Sequence, residues 1–379
     1  MIFENINAPG FGAIVYKGGA EIYSKFFGRR VVERALPVTR DTRFRAASVS
    51  KMFTVFSVMQ LVEQNKINLD GDADDYLGFE LRNPNQPQKK ITVRMLASHT
   101  SSIRDGKIYS SPPAVSVEEF FQPDGRFFEG GAHFGAEPVG EFFSYSNLNY
   151  GLLGTIIEVV TKTRFDIWQK ENILRQLDAR ADYVPANLAR ADFELLGAIY
   201  RKENFWRAQM DDFKGIQPPK DTLSLQNAYA ENFCADFNLK DYRIGTNATI
   251  FSPQGGLRIS FEELAHALEM LMNGGTFRGK KILSRESVAE MMTPHWIYNG
   301  RNGDTCGGTF TNYGLGVYRN GNLIGHTGEA FGLLSGLYFI PNTQSGFIFM
   351  MNGGGNYVLE EKICATLSTC AVNGNISTG

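Results

Sequence analysis

The chain has 379 residues, of which 43% are hydrophobic, 21% charged and 40 are glycine, a make-up that excludes disorder and can bury one large core or two smaller ones. Its formal net charge of -2 supplies no surplus of cations for nucleic-acid phosphates or an anionic membrane surface. No run approaches the roughly 20 apolar residues that span a bilayer.

The chain opens with "MIFENINAPGFGAIVYKGG", which lacks the basic and long apolar regions of a secretory signal and passes directly into a strand-like run. The expectation is a cytoplasmic protein if this is the whole chain, and a periplasmic or extracellular one if a leader has been removed. "GFGAIVYKGG" and "AEIYSKFFGRRV" read as two strands joined by a glycine turn. From Ser48 to about Gln64, Met52, Val55, Phe56, Met59 and Val62 recur at helical spacing, and Val58 and Leu61 widen the stripe to a helix buried nearly all round. The segment Asn83 to Lys90, "NPNQPQKK", reads as a surface crossing.

Helical patterns dominate from about Ile91 to Ile250: "ITVRMLASHTSS", "VSVEEFF", "NYGLLGTIIEVVTKTRFDIWQKENILRQL" and an aromatic-rich stretch through Trp206. Ser260 and Glu263 then form a capping box ahead of an apolar-periodic helix closed by Gly274 and Gly275. Strands return after it, with turns at Asn320-Gly321 and Pro341 to Gly346, and a helix from about Val358 to Val372 finishes the chain. The predicted fold is mixed α/β: one antiparallel sheet from the two ends (1–90 and 251–379), flanked by helices, with a mostly helical domain (91–250) inserted.

Cys234, Cys306, Cys364 and Cys370 form no CxxC pair and read as small buried hydrophobes, with a Cys364–Cys370 bridge disfavoured by their six-residue helical spacing. There is no HExxH, P-loop, G-x-S-x-G elbow or calcium-type acidic loop, so neither metal nor cofactor is expected. His99 reads as structural at a helix-to-turn junction, His266 as a surface or satisfied core residue, and His133 and His295 as scattered.

Three short stretches carry chemistry. In "SVSK", Ser48 and Lys51 are i and i+3 on one helical face, so the amine reaches the hydroxyl. Burial among Met52, Phe53, Val55 and Phe56 disfavours the ammonium, and a neutral amine can take the serine proton. In "YSN", Tyr145 and Asn147 project to one side; a phenol beside an ammonium becomes more acidic, and the amide both accepts and donates. In "HTG", strand alternation points His326 and Gly328 to one face and Thr327 to the other. Singly, each stretch has an ordinary structural reading: a capped helix with a snorkelling lysine, a core aromatic beside a cap, a strand with a solvated histidine.

Together and in this order, they resemble the S-x-x-K, Y-x-N and K/H-T/S-G motifs of the serine β-lactamase and penicillin-binding protein superfamily. "ITVRMLASHTSSI", "GLLGTIIEVVT", "SPQGGLRISFEEL" and "YGLGVY" are similar to flanks of its class C β-lactamase-like branch, which includes DD-carboxypeptidases, D-amino-acid amidases and esterases. The resemblance spans roughly Pro9 to Gly355. It implies a β-lactamase/transpeptidase-like fold, its site in the cleft between the sheet domain and the helical domain, and a metal-free serine hydrolase working through an acyl-enzyme on a small-molecule or peptide substrate.

By the same resemblance Ser48 is the nucleophile, Lys51 its proton acceptor and Tyr145 the acid/base for leaving group and water. Asn147 holds Lys51 and the substrate amide, His326 positions the substrate's anionic end beside Thr327 and Gly328, and the N–H groups of Ser48 and Glu329 form the oxyanion hole. The chain departs from the pattern at "EPVGEFFSYSN" and "HTSSI", and Glu329 sets a carboxylate beside the expected anion site. Asp192 to Tyr242 is expected to shape substrate choice, and the phenylalanines of "EEFFQPDGRFF" and "EFFSY" suggest a partly apolar substrate. Histidine in the third motif favours a peptidase, amidase or esterase over a β-lactamase. The alternatives are a β-lactamase, a non-hydrolytic penicillin-binding sensor domain and an acyltransferase.

Overall fold

The computed structural model describes residues 6–224 and 236–374, so Cys234 lies outside the described residues. Strand β1 (Gly10–Lys17) turns through Gly18 and Gly19, at φ 57° and 80°, into β2 (Ala20–Val31). Two successive left-handed residues match the twist of the flanking strands, and glycine adopts them without strain. A short β3 (Leu36–Pro37) follows. From the far end come β4 (Tyr318–Asn320), β5 (Leu323–Ala330), β6 (Leu333–Ile340) and β7 (Ser345–Met351).

These seven strands form one antiparallel sheet in the order β4-β5-β6-β7-β1-β2-β3, with Phe11 opposite Met351 and Tyr16 opposite Gly346. Two helices arise where expected: α1 (Ser50–Glu63), behind a 3₁₀ turn Ala47–Val49, and α2 (Asn147–Thr161). So do α3 (Phe261–Met272), with its Ser260/Glu263 capping box, and the terminal α4 (Tyr357–Asn373).

Alternation along the strands divides the core. Ile14, Leu337, Ile348 and Met350 pack toward α1 and α3, while Phe11, Val15, Leu334, Phe347 and Phe349 pack toward α4. Burial on both faces explains why β6 and β7 read as continuous apolar runs rather than as alternating ones.

The segment 91–250 is less helical than its apolar spacing suggests. "ITVRMLASHTSS" yields only Val93–Ala97 and "VSVEEFF" one 3₁₀ turn, Val117–Phe120. The aromatic-rich stretch is a hairpin, Ile199–Lys202 with Trp206–Met210, and Thr222–Leu223 pairs with Phe237–Asn238. Aromatic and β-branched residues suit strands, and here the hairpin borders the sheet, with Tyr200 N–H donating to Asn352 O at 2.8 Å. Most of Asn83 to Lys90 is exposed, but Asn83 itself is buried, its Nδ2 donating to Ser102 Oγ and Gly135 O.

Candidate active site

Ser48 is carried by a turn fastened on both sides. Ala46 N–H donates to Leu257 O at 2.8 Å, and Ala46 O accepts from Ser335 Oγ on β6 at 2.6 Å. Between them Ala47 takes φ 45°, a left-handed conformation that costs a non-glycine residue roughly 1–2 kcal/mol and is retained only where the surroundings enforce it. The helix proper begins two residues after Ser48, yet the i, i+3 relation survives through the turn: Lys51 Nζ lies 3.1 Å from Ser48 Oγ.

Lys51 has no exposed surface. Its other neighbours are Asn147 Oδ1 at 2.8 Å, Gln254 O at 3.3 Å, and the rings of Tyr145 and Tyr150, with Nζ 4.6 Å and 5.3 Å from their centroids. Burial lowers its pKa to about 7, against an opposing pull from the Asp105 carboxylate. A neutral amine has two hydrogens and one lone pair. The two carbonyl oxygens take the hydrogens, which leaves the lone pair for Ser48.

Tyr145 and Asn147 flank the start of α2. The Tyr145 hydroxyl is hydrogen bonded to Ser48, and its ring lies between Phe310, stacked at 5.1 Å, and His99, at 4.4 Å. The expected acidification by Lys51 does not occur: burial raises the Tyr145 pKa well above its ordinary value and outweighs the Ser48 hydrogen bond. Tyr145 is therefore a phenol at neutral pH.

Asp105, a residue the motifs do not include, organises this corner. Its Oδ2 accepts from Asn147 Nδ2 at 2.8 Å, while Oδ1 accepts from Ser146 Oγ and Leu148 N, both at 2.9 Å. The carboxylate thus caps α2 at its positive end and fixes the Asn147 amide with its oxygen toward Lys51. His99 grips the same segment: its carbonyl accepts from Ser144 N–H at 2.9 Å and its Nδ1 from Ser146 N–H at 3.2 Å. Burial, then Lys51, holds His99 far below its ordinary pKa, so the ring is neutral. The structural reading of His99 agrees with this position.

On β5 the expected alternation holds. Gly328 faces the Ser48 turn, and a Cβ there would come within 2.2 Å of Ser335 Oγ, 2.6 Å of Ala46 O and 3.1 Å of Ser48 N. Only glycine lets the turn sit this close. Past Gly325 the strand has no β4 partner, so among the described residues 326–330 pair in the sheet only with β6. His326 turns toward Lys51 but is fully buried, its Nε2 bonded to Tyr313 Oη at 2.8 Å and Nδ1 to Thr327 O. Burial and then Lys51 depress its pKa to about 3, so it offers no positive charge.

The Thr327 hydroxyl instead faces α4, hydrogen bonded to Ser335 O and Glu360. Glu329 is exposed on that same face, where its charge is felt by Glu360. The site thus gathers Ser48, Lys51, Tyr145, Asn147, His326 and Gly328, while the side chains of Thr327 and Glu329 point away.

Elsewhere, His266 is a satisfied core residue, its Nδ1 bonded to Leu177 O at 2.8 Å, and Cys306, Cys364 and Cys370 are free thiols, the last two buried. Among the described residues no helix is long and apolar enough to cross a membrane.

The Beta-lactamase family model matches residues 2–363, and the chain belongs to that family, within the serine β-lactamase and penicillin-binding protein superfamily. Protein flp of Staphylococcus aureus (strain MRSA252) is 24% identical over 365 residues, covering 96% of this chain and 63% of flp. In flp of strain N315, 29% identity over 169 residues covers 45% of this chain and 33% of that protein. The chain therefore spans less than two thirds of the length of these curated relatives. Among solved structures, the octameric penicillin-binding protein homologue from Pyrococcus abyssi aligns with a TM-score of 0.67 at 23% identity, over 100% of this chain and 76% of that one. A D-stereospecific amidohydrolase from Streptomyces sp. aligns at 0.63 and 20%, over 97% and 95%. At these identities both likenesses concern the fold.

Proposed function

We propose that the protein is a serine hydrolase that acylates Ser48 and releases the acyl group to water. One observation carries this reading: Lys51 is buried, with carbonyl acceptors for two hydrogens and Ser48 Oγ 3.1 Å away for its lone pair. As Ser48 Oγ bonds to the substrate carbonyl carbon, its proton passes to Lys51 Nζ and the carbonyl electrons move onto oxygen. The N–H groups of Ser48 and Glu329 hold that oxyanion. When the tetrahedral adduct collapses, the bond to the leaving group breaks and Tyr145 donates its phenolic proton to it, regaining one from Lys51. Water then adds to the ester carbon, giving a proton to Tyr145 as Tyr145 passes its own to Lys51, and Lys51 returns a proton to Ser48 Oγ as the bond between that oxygen and the acyl carbon breaks. Asn147 orients Lys51 and the substrate amide, and the site would occupy the cleft between 91–250 and the two terminal segments, 1–90 and 251–379.

The third motif supports a substrate class. A neutral, buried His326 cannot pair with a carboxylate next to the scissile bond, so the preferred substrates are esters or amides without one, ahead of penicillins and D-alanyl-D-alanine peptides. The edge of β5 past Gly325 accommodates the substrate backbone beside Gly328 and Glu329.

Intact-protein mass after exposure to a fluorophosphonate, together with turnover of short acyl esters, D-amino-acid amides, D-alanyl-D-alanine peptides and a chromogenic cephalosporin, tests this. The expected result is one adduct on Ser48, ester or amide turnover, and a loss of at least about 10³-fold in Ser48→Ala. An adduct on another residue, or undiminished turnover in Ser48→Ala, would overturn it. A persistent acyl adduct without turnover would mark a sensor domain instead.

A further inference from the structure

Away from Ser48, a groove of about 270 Å³ opens between the β2–β3 turn and the segment 190–215, lined by Arg30, Arg34, Arg190, Phe193 and Phe213 among others. Arg30 is only 9% exposed. Its Nη1 donates to Pro37 O at 2.8 Å and its Nη2 to Glu194 O at 3.1 Å, both uncharged carbonyls, and its Nε–H has no partner. No carboxylate pairs with this buried guanidinium among the described residues. Burying a cation in this way is costly, and the usual remedy is an opposite charge beside it.

The chain supplies the reverse. Arg34 is the neighbour whose charge Arg30 feels; it is exposed and makes no ion pair among the described residues. The third guanidinium, Arg190, is bound to Glu194 at 2.8 Å. Of the other lining carboxylates, Asp211 is engaged by Arg258 at 2.7 Å, and Asp212 accepts from Lys214 N–H at 3.1 Å. Glu33, next to Arg34 in sequence, accepts from the Tyr200 hydroxyl. Two neighbouring guanidiniums, one buried, thus line the groove, and among the described residues no carboxylate forms an ion pair with either, although Asp212 shares the lining.

We infer that this groove binds a small oxyanion, phosphate or carboxylate, through Arg30 and Arg34. Guanidinium groups present planar forks of N–H donors that match both anions, and such an anion would neutralise Arg30 and relieve its repulsion from Arg34. The aromatic rings of Phe193 and Phe213, 5.3 Å apart between centroids, form part of its wall. The site is distinct from the candidate active site, none of whose residues line it, so its occupancy does not depend on Ser48 being acylated.

Thermal unfolding of the full chain, titrated with inorganic phosphate and separately with acetate at pH 7 and fixed ionic strength, tests the inference. Wild type and Ser48→Ala should both show a saturable rise in Tm. Arg34→Gln, an exposed change that removes like-charge repulsion, should match or exceed wild-type Tm without the anion and need at least tenfold more of it for the same rise. Arg30→Lys, which keeps charge but loses the fork, should also weaken the response. Saturation by phosphate alone, by acetate alone or by both supports the site and identifies the anion. No saturable rise with either, or an undiminished rise in Arg34→Gln, would overturn it.

Discussion

An amine that must be neutral to act makes its rate depend on its own titration. Burial lowers the pKa of Lys51 to about 7, so the proton-accepting form grows as pH rises through that value. The kcat/KM for a neutral ester should therefore climb tenfold per pH unit below about 7 and level off above it. A flat profile from pH 5 to 8 would exclude Lys51 as the acceptor. Asp105 opposes the shift while holding the Asn147 amide. In Asp105→Asn the new Nδ2 would meet Asn147 Nδ2, donor against donor, and the Asn147 amide would flip its NH₂ toward Lys51. Steady-state kinetics should show a roughly 10- to 100-fold fall in kcat/KM, with the acid limb moved to lower pH because the anion that favoured the ammonium is gone. An unmoved acid limb would reduce Asp105 to a helix cap. Ser48 and Lys51 were legible in sequence because i and i+3 fix their contact locally. Asp105 was not, since it reaches Asn147 across 42 positions through a turn that departs from the family pattern. The acidity of Tyr145 is hidden from sequence for a different reason: sequence shows the charged neighbour but not the depth of burial, and here burial dominates.

Among the elements, α2 brings the second motif to Lys51 by way of two glycines. A Cβ on Gly151 would lie 2.6 Å from Thr249 Cγ2, and one on Gly154 would lie 2.6 Å from Pro253 Cγ and 3.0 Å from Ala248 Cβ. The segment pressed there continues into Gln254, whose carbonyl holds Lys51. In a free helix Gly154→Ala would stabilise by about 1 kcal/mol; in this packed position the clash should win, at a cost of about 1–3 kcal/mol. Denaturant unfolding should thus show lower stability, and activity should fall as Gln254 moves; a rise in stability would mean that the contact yields freely. Apolar spacing and the capping box announced α1, α2 and α3, because a buried helical stripe has a period that chance seldom imitates. Sequence does not show the hairpin 199–210, because its aromatics fit either periodicity and its place is decided by Asn352, just past the end of β7.

At the scale of the molecule, buried carboxyls link stability to pH. Glu158 on α2 accepts from Tyr242 Oη at 2.6 Å and from the N–H groups of Phe165 and Gly245, yet burial raises its pKa to about 7. Asp182, also buried, is raised to about 6. A carboxyl whose folded pKa exceeds its unfolded one contributes fully below the unfolded value, near 4.5 for Glu158, and loses that contribution as pH rises through the folded value. Apart from the titration of other groups, Tm should decline between pH 5 and 8, and Glu158→Gln should flatten that decline; parallel curves would show that Glu158 does not titrate there.

The sheet was legible as a union of the two chain ends, since strand patterns cluster there, and its order sets a timetable. β1 sits in mid-sheet with β7 as one of its two partners. On the ribosome, at roughly 5–20 residues per second, β1 emerges on the order of tens of seconds before that partner exists. During that wait one long edge of the hairpin is unpaired and apolar, open to chaperones or to another nascent copy. The sheet therefore closes only once β7 has been made.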